Sequence, residues 1–175
     1  PDGRRIASLN NEMAIIIRDA ETWEEVTTLG GKEESVYCLA FSPNGQTIVS
    51  GSRYGKVKLW DVSKSEELMT WDLKPAVRSV AFSPDGKRII ACDDETIQLW
   101  DVASGKELMK LIGHEDIIIN TVVFSPNGKL IASSCHEDGT ARIWDATTGQ
   151  ELLTLRGHGD VVTCVAFSPD SKRLV

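Results

Sequence analysis

The chain has 175 residues, of which 41% are hydrophobic, a length and a composition that suit a single domain with an apolar core. Its formal net charge is −7 and no stretch is strongly basic, so binding to nucleic acid through clustered lysines and arginines is disfavoured. No apolar run approaches the roughly 18 residues of a membrane-spanning helix, and no charged-then-apolar leader begins the chain, so we expect no membrane partner.

One phrase returns along the chain at a nearly constant interval. It reads LAFSPNG, VAFSPDG, VVFSPNG and VAFSPDS, and its prolines lie 41 to 43 residues apart if the opening Pro-Asp-Gly is taken as the end of a further copy. A second phrase, LWD or IWD, keeps the same interval. A period just above forty residues indicates one supersecondary unit that is repeated several times. The first phrase occupies 39–45, 80–86, 122–128 and 165–171, and the second occupies 59–61, 99–101 and 143–145, with a degenerate copy at 17–19.

In chain order, the pattern predicts three strands within residues 4–28, then three complete four-stranded units, then two strands at the end of the chain. The most complete unit begins at residue 113, and its β-branched, apolar segments alternate with turns rich in Gly, Pro, Asn and Asp. A four-stranded sheet cannot bury both of its faces alone, whereas several sheets packed face to face around an axis can. We therefore predict an all-β fold, a β-propeller whose blades have four antiparallel strands. The predicted strands of this unit are 117–124, 129–134, 140–145 and 151–155.

The same unit contains the residue pairs of a known family. Gly113-His114, Asp138-Gly139 and Trp144-Asp145 resemble the tryptophan–aspartate (WD) repeat, and the closely spaced copies resemble the long WD arrays of bacterial signalling proteins. The resemblance implies a propeller that binds partners on its surface. It also implies a hydrogen-bonded set that locks each blade. Here that set would be His114, Ser133 or Ser134, Asp138 and Trp144.

The other units lack parts of this set. Lys32 and Leu73 stand where the histidine belongs in the two preceding units. Tyr54 replaces the aspartate in the first of these units. We therefore expect blades of unequal stability, with the blade around Trp144 opening last.

The repeat divides the chain into one propeller segment, 1–175, with partial units at both ends. Propellers have four to eight blades, and the chain does not begin with Met. We therefore expect a segment of a longer protein that forms part of a larger ring. The alternative is a homodimer in which two chains complete one ring. The predicted blades are 1–31 (strands b to d), 32–72, 73–112, 113–156 and 157–175 (strands a and b).

Two groups of residues invite a metal-binding or catalytic interpretation. Cys135 and His136 are adjacent in a strand, so their side chains point to opposite faces and cannot easily bind one ion. His114, a nearby serine and Asp138 could suggest a hydrolase triad, but the tryptophan partner and the repeat position explain them as a lock. We therefore predict no enzyme activity, no cofactor and no metal.

The four cysteines are far apart and form no C-x-x-C pair. Cys38 and Cys164 occupy the same repeat position, which indicates a packing role for that position. We expect reduced, mostly buried thiols and a cytoplasmic location. The other two cysteines are Cys92 and Cys135.

The loops at one end of the strands are the predicted contact surface. Connections between strands b and c, and between blades, differ from copy to copy, whereas the opposite turns hardly change. In the family that the chain resembles, such loops commonly contact partners, so we expect a protein or peptide of basic or mixed charge, anchored by Arg53 and Tyr54. Trp23, in a turn between strands c and d, is either a further contact or a cap on a neighbouring blade. The predicted contact residues are Lys32, Arg53, Tyr54, Lys74, Asp93, Glu115, His136 and Trp23.

The predicted function is therefore a non-catalytic scaffold that binds a protein or peptide through these loops. One alternative is a sensor or targeting segment of a larger bacterial signalling enzyme, with a kinase or nucleotidase domain outside these residues. Another is a structural array that assembles through open sheet edges.

Overall fold

The computed structural model describes residues 1–31, 35–114, 118–136 and 138–175, and its regular structure is β-strand. The prediction of an all-β fold is confirmed. Within these ranges, no helix is long and apolar enough to cross a membrane. The strands are β1 (Arg5–Leu9), β2 (Ile15–Asp19), β3 (Glu25–Leu29), β4 (Val36–Phe41), β5 (Thr47–Ser52), β6 (Lys56–Asp61), β7 (Glu66–Asp72), β8 (Ser79–Phe82), β9 (Arg88–Cys92), β10 (Ile97–Asp101), β11 (Glu107–Leu111), β12 (Ile119–Phe124), β13 (Leu130–Cys135), β14 (Ala141–Asp145) and β15 (Glu151–Leu155).

Consecutive strands pair into four antiparallel sheets. Strands β1 to β3 form sheet 1, β4 to β7 form sheet 2, β8 to β11 form sheet 3 and β12 to β15 form sheet 4. Within each sheet, strands that are consecutive in the chain pair with each other, because antiparallel neighbours can be joined by tight turns. The sheets are consistent with the predicted propeller blades.

The sheets pack face to face, and the second strand of each shows why. Ile89 of β9 belongs to the apolar cluster between sheets 2 and 3, whereas Ile90 belongs to the cluster between sheets 3 and 4. Ile131 and Ala132 of β13 divide in the same way between two clusters. Successive side chains of a strand point to opposite faces, so an uninterrupted apolar pair at this position buries both faces of its sheet.

The first strands of sheets 2, 3 and 4 lie beside one another, since β8 contacts both β4 and β12. A polar contact joins two of them, because the Val122 amide donates to Ser79 Oγ with 3.3 Å between nitrogen and oxygen. The fourth strands lie at the outside, where Leu68, Leu108 and Leu152 are exposed. The first strands therefore line a common centre and the fourth strands form the periphery.

The last twenty residues differ from the two predicted strands. Their pairing is one isolated β-bridge between Phe167 and Leu174, flanked by backbone hydrogen bonds between Ala166 and Val175. Val162 and Val165 pack on sheet 4 in the cluster that includes Ala132. A two-stranded ribbon is marginal without further strands, so the segment is held by this packing and by few hydrogen bonds of its own.

Gly55, in the turn between β5 and β6, leads to a first prediction. Its φ is +77°, and a Cβ there would lie 2.6 Å from the carbonyl oxygen of Pro75 and closer still to that of Leu73. Gly55→Ala should lower the free energy of unfolding by more than the ~1–2 kcal/mol of the left-handed conformation alone. Urea denaturation measures the loss. Gly3→Ala is the control, because Gly3 has a φ of +74° and a Cβ added there would meet no atom within 4 Å beyond its chain neighbours. Equal losses in the two variants would contradict the close approach at Gly55.

Candidate functional site

The two ends of the sheets differ in the connections that they present. In sheets 2 to 4, the loops between second and third strands, and the loops that lead from one sheet to the next, lie at one end, which we call the upper face. The turns between first and second strands, and between third and fourth strands, lie at the other end, the lower face. Strands β1 to β3 of sheet 1 correspond to the second to fourth strands of the other sheets, so the turn between β2 and β3 belongs to the lower face. Upper loops support one another, since Gly139 lies against the backbone of His158 and Asp160. The described upper face comprises 10–14, 30–31, 35, 53–55, 73–78, 93–96, 112–114, 118, 136, 138–140 and 156–160.

Four side chains of sheet 4 form a chain of hydrogen bonds from the core to the upper face. Trp144 Nε1 donates to Ser133 Oγ at 3.0 Å. Ser133 Oγ lies 2.8 Å from His114 Nε2, and His114 Nδ1 lies 2.9 Å from Asp138 Oδ2. A carboxylate can only accept, so the proton of the neutral imidazole is on Nδ1 and the serine hydroxyl donates to Nε2. Of the two predicted serines, Ser133 makes these bonds, whereas Ser134 Oγ is buried with no partner among the described residues.

The buried pair at the end of this chain has shifted pKa values. Burial lowers the pKa of His114, and this effect outweighs the hydrogen bond and the charge of Asp138, which raise it. Burial would raise the pKa of Asp138, but hydrogen bonds from His114 and Thr140 together outweigh it and bring the pKa to about 2. The Thr140 amide and hydroxyl donate to Asp138 Oδ1 at 2.8 and 2.7 Å. At neutral pH the pair is therefore an uncharged imidazole beside an ionised carboxylate.

These two groups predict that acid lowers the stability of the fold. Their pKa values in the folded chain lie below the ordinary values of 6.5 for His114 and 3.8 for Asp138, so the unfolded chain binds more protons. The contribution of His114 is fully present above pH 6.5 and is lost as the pH falls towards the lowered pKa. That of Asp138 is lost between about pH 3.8 and 2. Urea midpoints measured from pH 8 to pH 3 test this dependence.

His114→Gln should remove the loss of stability that begins near pH 6.5. His136→Gln is the matched control, because His136 is exposed on the upper face. The assignment would be wrong if the wild-type chain became more stable on acidification through this range, or if only the His136 variant changed the profile.

Sheets 2 and 3 have fewer of the four hydrogen-bonding groups that sheet 4 combines, which are tryptophan, serine, histidine and aspartate. Trp60 Nε1 donates to Ser50 Oγ at 2.9 Å, so sheet 2 retains the tryptophan–serine bond. In sheet 3, Ala91 takes the place of the serine. Trp100 instead stacks against Trp71, with ring centroids 5.5 Å apart. Among the described residues, the complete set of four groups is found in sheet 4.

The turn between β5 and β6 presents two of the predicted contact residues. Tyr54 is 66% exposed and Arg53 is also exposed. The backbone beneath them is held, because the Arg53 amide donates to the Ser35 carbonyl and the Tyr54 amide donates to Ser52 Oγ. Lys74, a third predicted contact, is exposed in the loop against which this turn packs. The structure thus brings Arg53, Tyr54 and Lys74 to adjacent upper loops.

Other predicted contact residues lie in different places. His136 is exposed on the upper face of sheet 4. Trp23 is 64% exposed and lies on the lower face, between β2 and β3. Lys32 and Glu115 fall outside the described residues.

Asp93 corrects the prediction of an exposed contact at that position. It is only 3% exposed, and its Oδ1 accepts hydrogen bonds from the amides of Glu95 and Thr96 and from the Thr96 hydroxyl. The carboxylate therefore stabilises its own turn and is not available to a partner. The neighbouring Asp94 forms an ion pair with Arg78 at 2.8 Å.

Tyr37 is an upper-face candidate that the sequence analysis missed. It is 45% exposed on β4, two residues after Ser35, whose carbonyl accepts the Arg53 amide. Counted back from the recurring phenylalanine, the same repeat position holds Arg78, Asn120 and Thr163. The residue at this position differs in every copy, whereas most of the strand around it is apolar in each copy. This variation is the sequence signal that could have identified Tyr37 as a candidate contact residue.

The cysteines, all within the described ranges, form no disulfide. Cys92 and Cys135 are buried, and burial raises the pKa of the half-buried Cys38 to about 12. Cys164 differs from the expectation of buried thiols, because it is exposed on the segment that follows β15. One group of possible metal ligands in the described chain converges within 4.8 Å: His114, Cys135 and Asp138.

Repeated sheets packed face to face around a common centre define a propeller built from one recurring unit. The family description "WD domain, G-beta repeat" matches residues 23–61, 67–101, 105–145 and 149–175, and the chain belongs to this WD40 repeat family. Proteins of the family are generally non-catalytic scaffolds that bind other proteins.

Several eukaryotic proteins are similar to this chain. Eukaryotic translation initiation factor 3 subunit I of Pyricularia oryzae is 30% identical over 95 residues, which are 54% of this chain and 28% of that protein. Periodic tryptophan protein 2 homolog of Schizosaccharomyces pombe is 31% identical over 120 residues, 67% of this chain and 14% of that protein. WD repeat-containing protein 1 of Rattus norvegicus is 25% identical over 171 residues, 93% of this chain and 28% of that protein. The chain thus spans less than a third of each relative, and the similarity is to WD proteins in general with nothing specifically bacterial.

Proposed function

We propose that this chain is a non-catalytic scaffold whose upper face binds a partner protein or peptide. The observation that supports this proposal most directly is the exposed pair Arg53 and Tyr54 on a turn whose backbone is held by both neighbouring loops. Arg and Tyr are enriched among the residues that contribute most to binding energy. A turn that is already ordered also loses little conformational freedom when a partner binds.

The charges around this pair favour a partner segment of mixed charge. Arg53 and Lys74 are exposed cations, whereas Asp93 is buried in its own turn and Asp94 is already in an ion pair. Carboxylates of the partner would face the two cations, and an apolar group would cover the ring of Tyr54. Complementary charge of this kind gives specificity and fast association.

A peptide selection followed by calorimetry tests the proposal. Random peptides displayed on phage are selected against the wild-type chain, and the affinity of each enriched peptide is measured by isothermal titration calorimetry. We expect acidic residues to be enriched. The double variant Arg53→Ala/Tyr54→Ala should bind the selected peptides at least tenfold more weakly, about 1.4 kcal/mol or more.

Trp23→Ala is the matched control, because Trp23 is 64% exposed and Tyr54 is 66% exposed, but the two lie on opposite faces. Affinity that survives in the double variant and falls in Trp23→Ala would overturn the assignment to the upper face and move the binding site to the lower one.

The proposal includes an arrangement of the sheets and a role for the hydrogen-bonded side chains of sheet 4. We propose that sheets 1 to 4 act as blades of one ring, with His114, Ser133, Asp138 and Trp144 holding the blade of sheet 4 together. A sensor or targeting segment of a larger signalling enzyme stays the alternative prediction, and the same face would serve it, since a sensor must also capture a partner. The cytoplasmic location and the homodimer stay predictions from the sequence.

A further inference from the structure

We propose that His114, Cys135 and Asp138 form a binding site for Zn²⁺ or a similar thiophilic divalent cation. In the described part of the chain, the possible ligand atoms of these three side chains all lie within 4.8 Å of one another. The residues come from the loop before β12, the end of β13 and the turn that follows it. The site is separate from the Arg53–Tyr54 turn and does not depend on the proposed scaffold function.

The group of His114, Cys135 and Asp138 differs from the pair Cys135 and His136, which the sequence analysis argued against as ligands of one ion. Cys135 and His136 are neighbours in the chain and point apart, but the fold brings Cys135 to the imidazole of His114, twenty-one positions earlier. Strand register places Ser52 at the position of Cys135 in sheet 2, and the sequence repeat places Asp93 there in sheet 3. At this position, therefore, sheet 4 has a thiol next to a histidine and an aspartate, whereas sheets 2 and 3 have a serine and an aspartate.

The donor types suit zinc. Thiolate sulfur, imidazole nitrogen and carboxylate oxygen all bind Zn²⁺, at about 2.3, 2.0–2.1 and 2.0–2.2 Å respectively. These bond lengths place the donor atoms roughly 3–4 Å apart in a tetrahedral site. His114 Nδ1 and Asp138 Oδ2 are 2.9 Å apart, so they have to separate slightly while the sulfur approaches. The movement must also accommodate Arg142, whose Nη2 lies 3.5 Å from Asp138 Oδ2, and a water molecule would complete the coordination.

His114 is already oriented by contacts that zinc centres use. Its Nε2 is held by Ser133, which is held in turn by Trp144. A hydrogen bond to the second ring nitrogen fixes the tautomer and the orientation of a ligating imidazole.

Binding requires a defined movement of protons. The proton on His114 Nδ1 moves to Nε2, which then donates to Ser133 Oγ, and the Nδ1 lone pair binds the ion. The Cys135 thiol releases its proton to solvent and binds as thiolate, while Asp138 is already ionised at neutral pH. One proton is therefore released for each ion bound.

A groove on the upper face reaches one of the three proposed ligands, Asp138. It has a volume of about 270 Å³ and is lined by Asp138 together with His136, His158 and Asp160. Asp138 thus belongs both to the groove and to the ligand group. The two further imidazoles and the second carboxylate are additional potential ligands along this groove.

Titration with Co²⁺, a spectroscopic substitute for Zn²⁺, tests the site. The wild-type chain should develop a thiolate-to-cobalt charge-transfer band that saturates at one ion per chain and is reversed by Zn²⁺. Cys135→Ser should abolish the band, with serine chosen because Ser52 occupies this position in sheet 2. Cys164→Ser, which removes an exposed thiol, should leave the band unchanged. A wild-type chain without the band, or a Cys135→Ser variant that keeps it, overturns the proposal.

A second measurement uses the wild-type chain alone, so it stands even if Cys135→Ser does not fold. In ¹⁵N-resolved spectra of the imidazoles, one equivalent of Zn²⁺ should remove the proton signal at His114 Nδ1 and produce one at Nε2. A signal at Nδ1 that persists at saturating Zn²⁺ overturns the proposal.

Discussion

Replacing Trp144 with alanine is expected to lower the free energy of unfolding by about 3–5 kcal/mol, the range for truncating a buried aromatic side chain. Trp144 is 2% exposed and packs in the cluster between sheets 3 and 4. Its indole N–H also donates to Ser133 Oγ, the first bond of the chain that leads to His114 and Asp138. The substitution thus creates a cavity and removes a donor at once. Urea denaturation followed by fluorescence and circular dichroism measures the loss.

Trp23→Ala is the control for this prediction, because it removes the same side chain from a position that is 64% exposed. We expect its effect to stay within about 0.5 kcal/mol, as for most surface substitutions. Equal losses in the two variants would contradict the assignment of Trp144 to the core and of Trp23 to the surface.

Asp138→Ala should lower the free energy of unfolding by about 2–4 kcal/mol, because each buried donor left without a partner costs about 1–3 kcal/mol. Asp138 accepts from His114 Nδ1, from both the amide and the hydroxyl of Thr140, and from Arg142 Nη2 at 3.5 Å. Alanine leaves these donors without the carboxylate in a part-buried turn. Chemical denaturation at pH 7, where Asp138 is ionised, measures the difference.

Asp101→Ala is the matched control, because Asp101 also accepts hydrogen bonds within its own turn. Its Oδ1 accepts from the amide and the hydroxyl of Ser104 in an exposed turn of the lower face. Water can replace the carboxylate there, so a smaller loss of stability than for Asp138→Ala is expected. A larger loss for Asp101 than for Asp138 would show that the burial of the His114–Asp138 pair does not decide the cost.

Much of the architecture could be predicted from the sequence, because each sheet is built from residues that are close in the chain. A hairpin depends on the residues of its turn and on the alternation of apolar and polar residues along its strands, and both can be read from the repeat of about forty residues. Trp60, Trp100 and Trp144 occupy one repeat position and are all buried. The apolar pair Ile89 and Ile90 of β9 is likewise local to one unit, and it buries both faces of its sheet.

The environment of single side chains at the ends of strands could be predicted less well. Asp93 has the character of a loop residue in the sequence, yet it folds back onto the Thr96 amide and hydroxyl. The choice between Ser133 and Ser134 depended on which of two neighbours faces Trp144, a difference of one residue in strand register. Tyr37 was overlooked because it lies within an apolar strand, where exposure depends on the neighbouring sheets.

The sequence by itself determined the repeat, the strand class and the burial of both sheet faces, since these follow from periodicity and from contacts within one unit. The tertiary structure alone decided which loops of successive sheets meet, such as Gly55 with Leu73 and Gly139 with Asp160. It also decided that Cys135 approaches His114 and Asp138 while His136 faces the groove. Such contacts join residues that are distant in the chain, and their geometry depends on how rigid sheets pack against each other, which no local pattern encodes.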